Sequence, residues 1–236
     1  MLAASKSKSA EWPYVRVWSV VSQKGGSGKT TLLLHLAVAA MAKGLTVSVF
    51  DLDPQRSAEQ WSELREARIN TDEPAVVHGT PAGLDGMLEA ARETGSDLVL
   101  IDTPPSVDKS LIYAAAAADL VIVPTRSSVL DQFALRETLD YLKRIRALPK
   151  TVVVRNAPGR DAKASADIEA IGKEFGAGML ALTIEDQVDL AKALKEGKGV
   201  TESAPGRKAA KAIEALYQHL AAFDRRLAKA ARRVTA

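Results

Sequence analysis

Short apolar runs rich in β-branched residues alternate along this chain with longer segments of helical periodicity, and that alternation leaves few possible folds. Val15–Val21, Thr46–Phe50, Ala75–Val77, Leu98–Ile101, Leu120–Val123, Thr151–Val154 and Met179–Leu182 read as strands. Leu32–Ala42, Gln55–Arg68, Leu84–Arg92, Gln132–Arg146, Ser165–Phe175 and Gln187–Leu194 read as helices, and Arg207–Arg233 as one long terminal helix. The alanine run Ala114–Ala118 is also helix-like. Strands so continuously apolar need cover on both faces. The expected fold is therefore α/β: a single domain with a mostly parallel, twisted sheet and helices on both faces. A length of 236 residues suits one such domain, expected over 15–236 with a polar tail over 1–14. In such sheets ligands sit beyond the carboxyl ends of the strands. Gly25, Asp51, Asp102, Pro124 and Asn156 all fall there.

The first strand runs directly into Gln23-Lys24-Gly25-Gly26-Ser27-Gly28-Lys29-Thr30-Thr31, which opens a helix. Glycines let backbone N–H groups wrap a phosphate without Cβ clashes, and the helix N-terminus adds a favourable partial charge. Strand, glycine-rich loop and helix in this order make a P-loop. Lys29 is then placed to reach the β and γ phosphates of a nucleotide, and the Thr30 hydroxyl to ligate Mg²⁺. The strict spacing is broken, because Gln23 stands where the first glycine belongs and Lys24 is an additional cation. Two further strands end in carboxylates. Asp51-Leu52-Asp53-Pro54-Gln55 follows the second strand, where two acids can orient a water and influence a metal ion. Leu98–Ile101 delivers Asp102, ahead of Thr103-Pro104-Pro105, in the manner of a carboxylate that holds the Mg²⁺ shell.

KGGSGKTT resembles the deviant Walker A loop of the ParA/MinD family of ATPases, and DLDPQ and LVLIDTPP resemble that family's next two motifs. Weaker similarity extends through VIVPTRSSVLDQFAL, through VVVRN and through GKGVTESAPGRKAA, so that it covers the chain from Val15 to about Leu220. The resemblance implies that ATP and Mg²⁺ are the cofactors and that residues Lys24 to Thr31 cradle the phosphates. It implies that Lys24 crosses a homodimer to the partner's nucleotide. Asp53 would position the attacking water, Asp51 would support Mg²⁺ or loop geometry, Asp102 would hold the Mg²⁺ shell, and Asn156 would contact adenine. Hydrolysis would be weak alone and stimulated by an adaptor of the ParB type.

Family functions differ by what is gripped. The chain has no cysteine, which removes the iron–sulfur relatives and any disulfide. No tyrosine follows Tyr217, unlike the tyrosine-rich tails of kinase relatives. His35, His78 and His219 have no ligand spacing, so no metal beyond Mg²⁺ is expected. From Pro205 to the end, eight Lys/Arg stand against two Asp/Glu, whereas the preceding residues are net acidic. A basic terminus of this kind favours a polyanion. Lys192, Lys195, Lys198, Arg207, Lys208 and Lys211 are the candidate contacts to non-specific DNA, and Arg225, Arg226, Lys229, Arg232 and Arg233 continue that basic surface. The last nine residues offer little apolar bulk, so no stable membrane association is expected. The short segment ahead of the loop resembles the smaller, plasmid-type ParA proteins. The expectation is an ATP-dependent DNA partition or positioning ATPase in the cytoplasm, associated with the nucleoid. A MinD-like membrane regulator and a positioner of protein cargo are the alternatives.

Overall fold

A computed structural model describes residues 14–106, 109–156, 162–184 and 187–234. The tail expected over 1–14 lies outside the described residues except for Tyr14. The strands are β1 (Arg16–Val20), β2 (Val47–Asp51), β3 (Ala75–His78), β4 (Leu98–Asp102), β5 (Leu120–Thr125), β6 (Thr151–Asn156) and β7 (Gly178–Ile184). The helices are α1 (Lys29–Met41), α2 (Ser57–Ile69), α3 (Leu84–Glu93), α4 (Lys109–Ala117), α5 (Val129–Arg144), α6 (Ala162–Phe175), α7 (Gln187–Lys195), α8 (Val200–Ser203) and α9 (Lys208–Val234). The strands form one seven-stranded sheet in the order β3-β2-β4-β1-β5-β6-β7, and every pairing is parallel.

Each strand divides its side chains between two apolar layers, as the two-residue period of a strand requires. Trp18, Val20, Leu98, Leu100, Leu120 and Ile122 face one layer, built with α1, α2, α7, α8 and α9. Their neighbours Val17, Val21, Val99, Ile101, Val121 and Val123 face the other, built with α3, α4, α5 and α6. The chain is thus a three-layer sandwich. Helix α1 is apolar all round because it is covered all round: Leu32 to Ala40 are buried between the sheet and α7–α9.

Two departures from the expected boundaries have local causes. Helix α5 begins at Val129 rather than Gln132, because Ser128 and Asp131 form a reciprocal capping box that starts the helix three residues earlier. The stretch after α7 carries the short helix α8, where only a loop was expected.

Helix α9 is tied to the start of β1 by a buried polar network. Asp224 is fully buried and accepts from Trp18 Nε1 at 2.9 Å and from Arg16 Nε at 3.0 Å. Arg16 Nη2 pairs with its other oxygen, and Arg16 Nη1 reaches Asp119 at 3.0 Å. Removing the carboxylate leaves the half-buried Arg16 guanidinium to Asp119 and strands the buried indole N–H. Asp224→Ala is therefore expected to lower the unfolding free energy by about 2–4 kcal/mol. Denaturant titration checks this, and a loss below about 1 kcal/mol would mean that α9 docks through its apolar face alone.

Candidate nucleotide site

Strand register assembles the site. β1 lies between β4 and β5, with Val20 beside Asp102 and Ile122. Asp102 is also the register partner of Asp51 on β2. The loop leaving β1 therefore emerges at the carboxyl edge next to both acids. Its last glycine, Gly28, takes a left-handed conformation (φ 89°) directly ahead of α1. A Cβ at Gly28 would lie 2.0 Å from Asn156 Nδ2, so only glycine fits. Asn156 is buried at the end of β6, and this nitrogen donates to the Ser27 carbonyl at 2.7 Å. It braces the loop from beneath, a role the expected adenine contact did not include.

Lys29 is buried at the first position of α1. Burial lowers its pKa, opposed by the charges of Asp102 and Asp53. Its Nζ donates to the Lys24 carbonyl at 3.4 Å, so the ammonium lies under the loop that would hold the phosphates. The Thr30 hydroxyl donates to Asp102 Oδ2 at 2.5 Å. Asp102 is fully buried, and burial pushes its carboxyl up to about 7, with the Thr30 bond and Lys29 opposing and Asp51 and Asp53 adding repulsion. An oxygen-rich, charge-strained pair of this kind suits a hard cation such as Mg²⁺. Among the described residues no three His, Cys, Asp or Glu side chains are grouped to hold a metal unaided. The fitting ion is one that keeps waters and phosphate oxygens in its shell, as Mg²⁺ does.

The three carboxylates have separate situations. Asp51 accepts from the backbone N–H groups of Asp53 at 3.0 Å, Ala58 at 2.9 Å and Glu59 at 3.3 Å. Burial raises its pKa and these bonds oppose the rise. Asp51 thus caps the first turn of α2 and shapes the loop, which of its two expected roles is the geometric one. Asp53 sits on that loop, nearly buried, and accepts from Gln55 N at 2.9 Å through Oδ1. Gly25 and Gly26 are exposed at the loop's tip, with the Pro105 ring 3.8 Å from where a Gly25 Cβ would be. Thr31 follows Thr30 on α1, half-buried.

Lys24 points away from this centre. Its Nζ lies 2.5 Å from Asp131 Oδ1 and 3.4 Å from Ser128 Oγ, at the capped start of α5. Burial alone would raise the Asp131 carboxyl, but the bonds from Lys24 and Ser128 outweigh it and hold the group below its ordinary value. A cleft of about 460 Å³ opens beside this contact, between Gly25, Gly26, Arg126 and Ser127. Sequence reasoning missed Asp131 and Ser128. Their Ser-x-x-Asp spacing is a capping signal and could have revealed them.

The expected basic residues lie on α7, in the turn after it and at the head of α9, and α7, α8 and α9 pack together. Lys192 and Lys195 are exposed in the last turn of α7, and Lys198 is half-buried just beyond it. Arg207, Lys208 and Lys211 are exposed at the head of α9, with Arg207 3.6 Å from Asp189. A buried arginine links this surface to α2, the helix that follows the Asp51–Asp53 loop. Arg65, on α2, forks onto Glu202 of α8 at 2.7 and 2.8 Å and donates to the Gly197 carbonyl at 2.8 Å. Gly197 (φ 70°) approaches so closely that a Cβ there would lie 2.8 Å from Arg65 Cα.

Comparisons with known proteins agree with this geometry. A family model, the CobQ/CobB/MinD/ParA nucleotide binding domain, matches residues 18–200. The chromosome-partitioning ATPase Soj of Thermus thermophilus is 30% identical, covering 88% of this chain and 96% of that protein. Maintenance of carboxysome distribution protein A of Gloeobacter kilaueensis is 41% identical over 128 residues, which are 53% of this chain and 56% of the relative. The match thus spans about half the length of that relative. Among solved structures, apo McdA of Cyanothece has a TM-score of 0.68 at 20% identity, covering 88% of this chain and 99% of that one. The MinD cell division protein of Aquifex aeolicus has a TM-score of 0.70 at 18% identity, with 87% and 96% covered. These two likenesses concern the fold alone. The strand–loop–helix site, the match across 18–200 and the near full-length similarity to Soj place the chain in the CobQ/CobB/MinD/ParA nucleotide-binding family.

Proposed function

We propose that this chain is an ATP- and Mg²⁺-dependent positioning ATPase that dimerises on ATP, binds DNA without sequence preference and is reset when a partner protein stimulates hydrolysis. The observation that carries this reading is the outward placement of Lys24. Its ammonium rests on the capping turn of α5, away from Lys29 and the loop interior. The same turn exposes Val129 (61%), Leu130 (68%) and Phe133 (58%), an apolar face of the kind that a second copy of the chain would cover. A cation at the rim of its own site and beside an apolar face is suited to reaching a nucleotide held by a partner subunit.

In the proposed cycle, residues Lys24 to Thr31 would hold the phosphates, Lys24 those of the partner subunit, and Thr30 and Asp102 would hold Mg²⁺, which would supply positive charge to the transferring phosphoryl group. Asp53 accepts a proton from, or orients, the attacking water. Asp51 keeps the Asp53 loop in register with α2. The path from Asp51 through α2 and Arg65 to Glu202 gives the basic surface on α7–α9 a physical connection to that loop. Lys192, Lys195, Lys198, Arg207, Lys208 and Lys211 would meet DNA phosphates, which accounts for non-specific binding. The cargo is DNA or, by the similarity to a carboxysome distribution protein, a protein body carried over DNA. No helix among the described residues is long and apolar enough to cross a membrane.

Binding of duplex DNA by the purified chain, measured with ATP, ADP and no nucleotide across a salt series, tests the reading. Binding that requires ATP, weakens with salt and disappears in Lys24→Ala is expected; equal binding in every nucleotide state would defeat it. Asp53→Ala should keep ATP binding and lose about 10²-fold or more in phosphate release. Asp131→Asn removes the counter-charge that occupies Lys24 in the lone subunit. It is expected to lower the protein concentration needed for ATP-dependent dimerisation by up to about fivefold, read by light scattering.

A further inference from the structure

The basic residues beyond Asp224 continue the expected basic surface, and helix geometry sets how they stand relative to Lys208 and Lys211. α9 is a single helix of 27 residues. Arg226 follows Lys208 by 18 residues, and Lys229 follows Lys211 by the same interval. Eighteen residues are about five full turns, so each pair points in the same direction ~27 Å apart along one face. Arg233 extends that face, giving ~38 Å from Lys208. All five side chains are exposed. Between the two groups the stripe carries Ala215, Gln218, His219 and Ala222, none of them acidic, with half-buried Glu214 as the neighbouring acid. Beyond Asp224, which is spent on Arg16 and Trp18, no acid occurs.

Helix stability accounts for a cation in the last turn, such as Arg233, and does not explain the first group. Lys208 and Lys211 stand at the N-terminal end of α9, where cations oppose the helix dipole, and no acid offsets them in the first turn. Membrane insertion does not explain it either. The bulky residues Ile213, Leu216 and Leu220 are buried in the core and Leu227 packs against it, leaving mainly alanine between the cations. The Arg16–Asp224 anchor holds the helix on the domain, so the two groups keep their spacing. In B-form DNA a given strand returns to the same side of the duplex after one turn, about 34 Å. We propose that α9 is a rail for duplex DNA: Lys208 and Lys211 grip the backbone at one crossing, and Arg226, Lys229 and Arg233 grip it about one helical turn away. Arg226 is already steadied by Phe223, with its guanidinium 5.5 Å from the ring centre.

This rests on the DNA-binding reading above, and the test separates the two. Full-length protein with ATP is titrated with fluorescent duplexes of about 8 and 24 base pairs across a salt series, the longer exceeding two turns and the shorter less than one. The variants are R226A/K229A/R233A, the matching glutamine triple and K208A/K211A. The wild type should favour the longer duplex, and both triples should lose that preference, with the salt slope on the longer duplex falling by about 3; K208A/K211A should lower it by about 2. If the triples keep the wild-type slope and preference while K208A/K211A weakens binding, the rail is wrong and the DNA-binding reading stands. If the wild type binds no duplex in any nucleotide state, the DNA-binding reading itself falls and the rail with it. If the triples lose binding to anionic phospholipid vesicles and keep binding to duplex, the distal group serves a lipid surface and the rail is overturned.

Discussion

The central position of β1 in the sheet governs the chemistry at its carboxyl edge. A strand flanked on both sides by parallel neighbours has no freedom in where its last residue falls. Val20 ends level with Asp102, and Asp102 ends level with Asp51. Three loops from distant parts of the chain are thereby brought to one line, with the glycine-rich turn in the middle. The side chains that hold this register are ordinary. They are the alternating apolar residues of β1, β4 and β5, shared between two helical layers. The sheet's hydrophobic pattern, more than any polar contact, sets the distance from Thr30 to Asp102.

Placing several charges at one buried edge is costly unless each has a partner. The structure meets this with separate solutions for each group. Asp51 is neutralised by the N-terminus of α2. Asp102 takes the Thr30 hydroxyl and is pushed toward its protonated form. Lys29 lies within the field of Asp102 and Asp53 and donates to the Lys24 carbonyl, and Lys24 is assigned to Asp131 at the capped start of α5. An arriving nucleotide with a divalent cation would bring both signs of charge into this arrangement, so binding would redistribute pairs that already exist. Lys24 is the most exposed of these groups and the one whose partner lies furthest from the sheet edge.

Much of the molecule was legible in the sequence because it rests on period and on local chemistry. The seven strands and the parallel sheet follow from apolar runs. The phosphate loop follows from glycines between a strand and a helix, and Asp51 and Asp102 from their places at strand ends. What escaped depends on contacts between residues far apart in the chain. Nothing near Arg65 indicates that a charged residue on a polar helix is buried against Glu202. Nothing near Asp224 shows that it lies under Trp18 at the start of the domain. Asn156 reads as a turn residue until the fold brings it beneath Ser27. Asp131 was within reach. Its spacing from Ser128 is a helix-start signature, but the apolar period of α5 is clearest from Leu135 onward, and a boundary drawn on period alone falls too late.

The contact between Asn156 and Gly28 has a consequence for how this loop can change. The amide that supports Ser27 occupies the space where any side chain at Gly28 would grow, although 129 residues separate Ser27 from Asn156. The shape of the phosphate loop is thus partly encoded on a strand from the other half of the sheet. The nine residues from Gln23 to Thr31 do not form a portable cassette. Transplanted onto another parallel sheet without an asparagine at the equivalent strand end, they would keep their glycines and lose the brace that selects one conformation. A swap of loops between related chains would have to carry the end of β6 along with it.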